Sequence, residues 1–276
     1  MKKINFLLIV LGFALIFFAY QFFAGSSFEK KLYTSTQAVS NLEIIDRNTP
    51  VTITAVDANQ PLTITYYENK ANTYTLEKVD NQLTVTKQKP KYWWFHFSWV
   101  HFNKNTEIIA QVPTNQLQSL NVQTSNGPIA VDGLELTDAT FKSSNGKIML
   151  QDLKASQTIS SQTSNGKLTL RNIQADKIES HTSNGKIELA DLAFSTGTFE
   201  TSNGKVAFDK LDATDSLNLK SSNGKITGSL VGNQKDFKIK AKTSNGKNNL
   251  VDSMNGEKEL NIRTSNGTID VQFTEE

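Results

Sequence analysis

Residues 163 to 189 read TSNGKLTLRNIQADKIESHTSNGKIEL, and this one unit is what the second half of the chain repeats. Asn165 and Asn184 each stand in a Ser-Asn-Gly triplet followed by an alternating run, Leu168/Leu170 and Ile187/Leu189, with a polar residue between the apolar ones. The triplet recurs at Asn126, Asn145, Asn165, Asn184, Asn203, Asn223, Asn245 and Asn266, at spacings of 19, 20, 19, 19, 20, 22 and 21 residues. A fixed period near this length marks a repeat architecture. Non-turn positions recur as well. The third residue after each Asn is Ile129, Ile148, Leu168, Ile187, Val206, Ile226, Asn248 or Ile269, and the sixth before it is Leu120, Ala139, Ile159, Ile178, Gly197, Leu217, Ile239 or Leu260.

Period-two alternation on both sides of a turn gives strands with one buried face. A unit of about 20 residues cannot bury that face alone, but stacked units can. The expected fold is therefore all-β, a parallel β-solenoid with about four inward positions per rung. Asn-Gly between alternating runs is also a hairpin signal, so an antiparallel hairpin meander is the alternative. The solenoid is preferred because it puts each column directly above itself, which explains why columns away from the turn recur. In the turn, Gly is expected to supply a positive φ and Asn to tolerate the left-handed region, while stacked Ser and Asn form side-chain ladders.

Upstream, Leu42–Ile45, Val51–Ile53, Leu62–Tyr67, Thr73–Val79 and Leu83–Val85 are extended and read as degenerate rungs that cap the array, and Thr106–Val112, closed by Pro113, leads into the regular repeats. Lys2 and Lys3 precede an uncharged stretch from Ile4 to Phe23. About 20 such residues suffice for one helical crossing of a bilayer, and the leading lysines orient it. The division expected is a transmembrane signal anchor over 1–24, a spacer over 25–40, irregular rungs over 41–119 with an aromatic segment at 92–102, and regular Ser-Asn-Gly rungs over 120–276. The N-terminus would be cytoplasmic and the solenoid extracellular, in a single-pass protein of the cell membrane. A bulky Phe22 before Phe23-Ala24 argues for a retained anchor over a cleaved signal peptide.

The string Ile108-Ile109-Ala110-Gln111-Val112-Pro113, then Leu120-Asn121-Val122 and a series of Ser-Asn-Gly-Lys-Ile units behind one N-terminal helix, resembles a bacterial candidate-adhesin family of β-strand repeats of unknown function. LiaG-like membrane-anchored proteins of Gram-positive bacteria belong to it. The resemblance covers roughly residues 40 to 276. It implies a right-handed β-solenoid on the outer cell surface, with adhesion or envelope-stress roles, and supplies no catalytic residues.

Two features stand beside the repeat signature. Two residues after the Asn come Lys147, Lys167, Lys186, Lys205, Lys225 and Lys247, with Pro128 and Thr268 in the remaining copies. Three before it, in the same outward phase, come Lys142, Lys220, Lys242 and Arg263, with His181, Gln123, Gln162 and Glu200 between. This predicts a basic stripe able to hold an anionic wall polymer or lipid headgroups, although the bland reading is that lysine merely keeps the turn soluble and blocks edge pairing. Asp132, Asp152, Asp191, Asp209 and Asp252 recur near the next turn, and residues 120 to 276 balance 18 Lys+Arg against 19 Asp+Glu.

The second feature runs from Tyr92 to Phe102 and contains Trp93, Trp94 and Trp99, all three tryptophans of the chain, flanked by Lys87, Lys89, Lys91 and Lys104. Tyr92, Trp93, Trp94 and Trp99 are the candidates for a membrane interface; a buried cap or a docking patch is the alternative.

The chain has no cysteine, and its three histidines, His96, His101 and His181, do not fall at metal-ligand spacing. No phosphate-loop, nucleophile-elbow, zincin or calcium-repeat motif occurs. No catalysis, cofactor, metal or nucleic-acid partner is expected. The expected function is that of a membrane-anchored surface binding or scaffold protein, adhesin-like, in adhesion or envelope stress sensing. A regulatory partner subunit of a membrane kinase or transporter, or another envelope protein's partner, is one alternative, and a polysaccharide-acting enzyme on a β-helix is another.

Overall fold

A computed structural model describes residues 27–69, 72–88 and 106–274. The apolar N-terminal segment and Tyr92, Trp93, Trp94 and Trp99 lie outside the described residues. Among the described residues twenty strands form one sheet: β1 (Glu29–Thr34), β2 (Asn41–Ile45), β3 (Val51–Val56), β4 (Thr63–Glu68), β5 (Tyr74–Val79), β6 (Gln82–Lys87), β7 (Ile108–Pro113), β8 (Ser119–Gln123), β9 (Ile129–Asp132), β10 (Glu135–Leu136), β11 (Asp138–Lys142), β12 (Ile148–Ala155), β13 (Thr158–Thr163), β14 (Leu168–Thr182), β15 (Ile187–Thr201), β16 (Val206–Ser221), β17 (Ile226–Val231), β18 (Phe237–Lys242), β19 (Lys258–Arg263) and β20 (Ile269–Thr274). The only helical element described is a 3₁₀ turn at Gln234–Asp236.

Through the middle, rungs stack in chain order. On one flank of the turns the parallel order is β8, β11, β13, β14, β15, β16. On the other it is β9, β12, β14, β15, β16, β17. Register follows the columns read in the sequence, with Ile159 beside Ile178 and Leu168 beside Ile187. The repeats are therefore a parallel solenoid; the antiparallel strand pairs described all lie in a cap at one end, and at the other end Ile239 and Ser253 form a single antiparallel bridge.

At both ends the stacking leaves chain order. β19 pairs with β16 on one side and β18 on the other, while β20 pairs with β17. The rung of Asn266, last in the chain, thus lies between those of Asn223 and Asn245. At the other end β2 pairs with β6 and β8, and β3 with β7 and β9. The first rung in the chain is likewise one step in from the end. Sequence reading did not anticipate either insertion; the lengthened spacings of 22 and 21 around Asn245 were the available signal.

The end beyond β6 and β7 is closed by antiparallel strands: β5 on β6, β4 on β7 and β1 on β4. Of the upstream strands, only β2/β3 and β6/β7 are rungs. Glu29–Thr34, assigned to a spacer by its polarity, is the outermost strand of this cap, and the same Glu-Lys-Lys that made it look like linker suits an exposed edge. At the far end β18 is the last full strand. There Asn248 and Asn249 replace strand residues: the Asn249 amide donates to the Val271 carbonyl and accepts from the Val271 N–H, while Asn248 Nδ2 donates to the Ala241 carbonyl. Side-chain amides thus satisfy the edge that a further rung would have covered.

The interior is one continuous column of aliphatic and aromatic side chains, including Ile148, Leu168, Ile187, Val206, Ile226 and Ile269, none more than 1% exposed. Besides the columns seen in the sequence, the fourth position before each Asn faces inward. It holds Val122, Phe141, Ser161, Ser180, Phe199 and Leu219, and the fully buried Ser161 and Ser180 hydroxyls bond each other at 2.7 Å between the flanking phenylalanines.

The left-handed backbone lies elsewhere than expected. Neither the Asn nor the Gly of any Ser-Asn-Gly turn has a positive φ; Gly133, Asp152, Asn172, Asp191 and Lys210, seven residues after successive turn asparagines, do. They form a second corner, and this accounts for Asp152 and Asp191, since Asp and Asn tolerate the left-handed region; Asp132 and Asp209 stand one residue before it, and Asp252 is not part of it. Lys210, at φ 51°, lacks that local compensation. Lys210→Asn is expected to raise stability by up to about 1 kcal/mol, read as a small upward shift in the melting temperature; an unchanged or lower value would refute the strain.

Candidate functional site

The Ser-Asn-Gly ridge is built by close stacking. A methyl carbon placed on Gly146, Gly166, Gly185, Gly204 or Gly224 would lie 1.8 to 2.0 Å from the carbonyl oxygen of the glycine in the preceding rung. Glycine is required here because backbones touch, not because φ is positive. The residue before each Ser, always Thr or Ser, holds the turn. Thr182 Oγ1 accepts from Gly185 N–H at 3.1 Å and donates to the Gly166 carbonyl at 3.2 Å, and Thr163, Thr201 and Thr264 repeat the pattern. The invariance of a hydroxyl at this position was visible in the sequence, but its role was not.

Outside this anchored backbone runs an asparagine ladder. Each Nδ2 donates to the Oδ1 of the neighbouring rung at 2.6 to 2.7 Å, in the order Asn48, Asn126, Asn145, Asn165, Asn184, Asn203, Asn223, Asn266, Asn245. The expected Asn ladder is present. The serines instead contribute backbone: the Ser164 carbonyl accepts the N–H groups of both Ser183 and Asn184.

Asn48 belongs to a ninth turn that the sequence disguised as Asp46-Arg47-Asn48-Thr49. The buried Asp46 carboxylate accepts from the N–H groups of Arg47, Asn48 and Thr49 through Oδ1 and from the Tyr74 hydroxyl through Oδ2, at 2.6 to 2.8 Å. Lys87 Nζ lies 3.7 Å from Asp46 Oδ2, 3.0 Å from Thr49 Oγ1 and over the Tyr74 ring. Burial, with the Asp46 charge adding to it, pushes the Tyr74 phenol well above its ordinary value. Lys87 therefore serves this turn.

Beside the ridge run the two basic columns. In space the first reads Lys147, Lys167, Lys186, Lys205, Lys225, Thr268, Lys247, because the rung of Asn266 is inserted; the six lysines are five in a row and one apart. Glu188 interrupts the stripe at its centre. Its carboxylate pairs with Lys167 at 2.6 Å and with Lys186, and those two ammonium groups hold it down to about 2. Among the described residues Lys147, Lys205, Lys225 and Lys247 have no carboxylate within 4 Å. The second column runs Gln123, Lys142, Gln162, His181, Glu200, Lys220, Arg263, Lys242. Glu200 lies 3.7 Å from His181 Nδ1 and 4.0 Å from Lys220. Between this column and the serines is a shallow polar groove of about 280 Å³, floored by Thr163, Thr182 and Thr201. Like charges one strand spacing apart repel by about 1 kcal/mol in water, so the three successive cations at the end of this column are a local cost that an anion would offset.

Among the described residues, no three His, Asp or Glu side chains gather as a metal site requires. The Toastrack DUF4097 family profile matches residues 39–272, from the first inserted rung to the last. The chain belongs to the Toastrack family. No curated protein matches it in sequence. Three similar solved structures are a candidate adhesin from Bacteroides fragilis (14% identity, covering 88% of this chain and 98% of that one, TM-score 0.47), a candidate adhesin from Parabacteroides distasonis (12%, 90% and 98%, 0.42) and a candidate lipid-binding protein from the same species (13%, 90% and 98%, 0.49). The adhesin-type family resemblance read from the Ser-Asn-Gly-Lys-Ile units is borne out. In this Toastrack chain the family match includes both end rungs, so the out-of-order stacking belongs to the matched region.

Proposed function

We propose that this is an adhesin-like surface protein whose solenoid is a rigid binding rod, tethered to the cell membrane by its N-terminal apolar segment, with a linear polyanion as ligand of the basic edge. The observation that carries this reading is the continuous ridge in which exposed Asn side chains are hydrogen-bonded rung to rung and flanked by cationic columns. A ridge locked in this way presents charges at a fixed interval with little entropy left to lose on binding. The tether fits the topology, since the residues entering β1 leave from the antiparallel cap, and Gln88 and Thr106, which bracket the aromatic segment, belong to the outermost rung of that same end. Membrane contact by Tyr92, Trp93, Trp94 and Trp99 would then occur at the tethered end.

The test is binding of fluorescent inorganic polyphosphate to the full chain in uncharged detergent. Binding is expected to weaken with salt and to vanish when Lys142, Lys147, Lys167, Lys186, Lys205, Lys220, Lys225, Lys242, Lys247 and Arg263 are all changed to Gln. Binding that survives all ten changes, or never occurs, overturns the reading.

A further inference from the structure

The basic edge is not uniform along the rod, and the difference defines a site. We infer that the three rungs farthest from the antiparallel cap, those of Asn223, Asn266 and Asn245, form the binding site for a chain of phosphate groups, while the rest of the edge contributes little. This rests on the polyanion reading above and narrows it.

Lys220, Arg263 and Lys242 are direct register partners in three successive parallel strands. Across the ridge, Lys225 and Lys247 flank Thr268 in the same three rungs. Five cations therefore stand within about 10 Å of rod length, given the usual strand spacing. Glu200, 4.0 Å from Lys220, is the one carboxylate paired with any of them among the described residues. Asp270 is the counterpart of Glu188 in the rung of Asn266, but it accepts from Gln272 Nε2 at 3.2 Å and, among the described residues, pairs with none of the five cations.

The nearer rungs look different. Lys142 lies between Gln123 and Gln162, and Lys167 and Lys186 share Glu188. The polar groove of the second column ends at Lys220, so it opens onto the three-cation run.

The ligand chemistry follows from the donors. Ammonium groups at one strand spacing suit closely repeated anions, and the Arg263 fork suits a phosphate oxygen pair. Ten stacked rungs place these residues roughly 40 Å from the capped end. With that end at the membrane, headgroups lie several screening lengths away, so the occupant is a phosphate polymer and not the lipid surface.

Two sets of Gln substitutions separate the ends in the full chain: K220Q, K225Q, K242Q, K247Q and R263Q against K142Q, K147Q, K167Q, K186Q and K205Q. With inorganic polyphosphate as probe, the distal set is expected to weaken binding at least about tenfold and to flatten its salt dependence, and the proximal set to change it by less than about threefold. Changing the four distal lysines to Arg should preserve binding. Equal losses from both sets, a larger loss from the proximal set, or loss on Lys→Arg overturns the site while leaving the broader reading standing; a wild-type chain that ignores polyphosphate overturns both. In a second arm, the chain in zwitterionic nanodiscs is mixed with phosphatidylglycerol vesicles. Co-flotation that depends on the distal five reassigns the site to lipid and overturns the proposal.

Discussion

Gly185→Ala is expected to abolish cooperative folding of the middle of the rod or to cost about 4 kcal/mol or more, far beyond an ordinary glycine substitution. The added methyl would lie 1.8 Å from the Gly166 carbonyl oxygen and 2.8 Å from Thr182 Oγ1. Neither can retreat, because the Gly166 carbonyl receives the Thr182 hydroxyl and Thr182 Oγ1 receives the Gly185 N–H. The obstruction is backbone against backbone, so the adjoining rungs must separate. Gly197→Ala is the milder comparison: its methyl would meet the rim of the Phe194 ring, so a side chain and not the backbone has to shift. Thermal unfolding followed by circular dichroism checks both, and a Gly185 variant that melts with the wild type would refute the close-stacking account.

Ending the chain at Glu257 is the second change with a large expected effect. It deletes β19 and β20, and with them Leu260, Ile262, Ile269 and Val271, each at most 2% exposed. At about 1.5 to 3 kcal/mol for each buried side chain, the gross loss is on the order of 10 kcal/mol. The deletion also strips β18 of its neighbour and removes the Val271 backbone that Asn249 caps. The rung of Asn245 cannot simply move inward, because Asn248 stands where the other rungs carry an aliphatic residue and would bring an amide into the core. Limited proteolysis should therefore cut freely between residues 233 and 257 while the rungs from Asn126 to Asn203 stay protected, as expected when each repeat contacts only its neighbours. Continued protection of the Asn245 turn would show that the array closes up and that the inserted rung is dispensable.

The periodic part of the fold was legible because stacking acts column by column. Ile or Leu three residues after each Asn and the Ser-Asn-Gly triplet are direct records of a side chain that repeats its environment. Which rung lies beside which is not recorded in that way. The rungs of Asn245 and Asn266 carry nearly the same turn, and their exchange in space leaves only longer connections as a trace. The ninth turn was hidden because Asp46 does with a carboxylate what Thr or Ser does elsewhere with a hydroxyl. The need for glycine was read correctly but for another reason, since a column of touching backbones and a positive φ both leave the letter G. Of the candidate site, residue identities and outward phase were legible; the pairing of Lys167 and Lys186 with Glu188, which leaves the distal rungs as the strongest field, needed the spatial register.

The inserted rung also bears on how the rod is made. Synthesis delivers residues 237 to 250 before 258 to 274, yet the later segment lies inside the earlier one. Until the last strands arrive, a slot one strand wide must stay open between β17 and the Asn245 turn, or be reopened. The final residues act as a keystone, and a chain interrupted anywhere short of them leaves an unfinished arch where the five distal cations should stand.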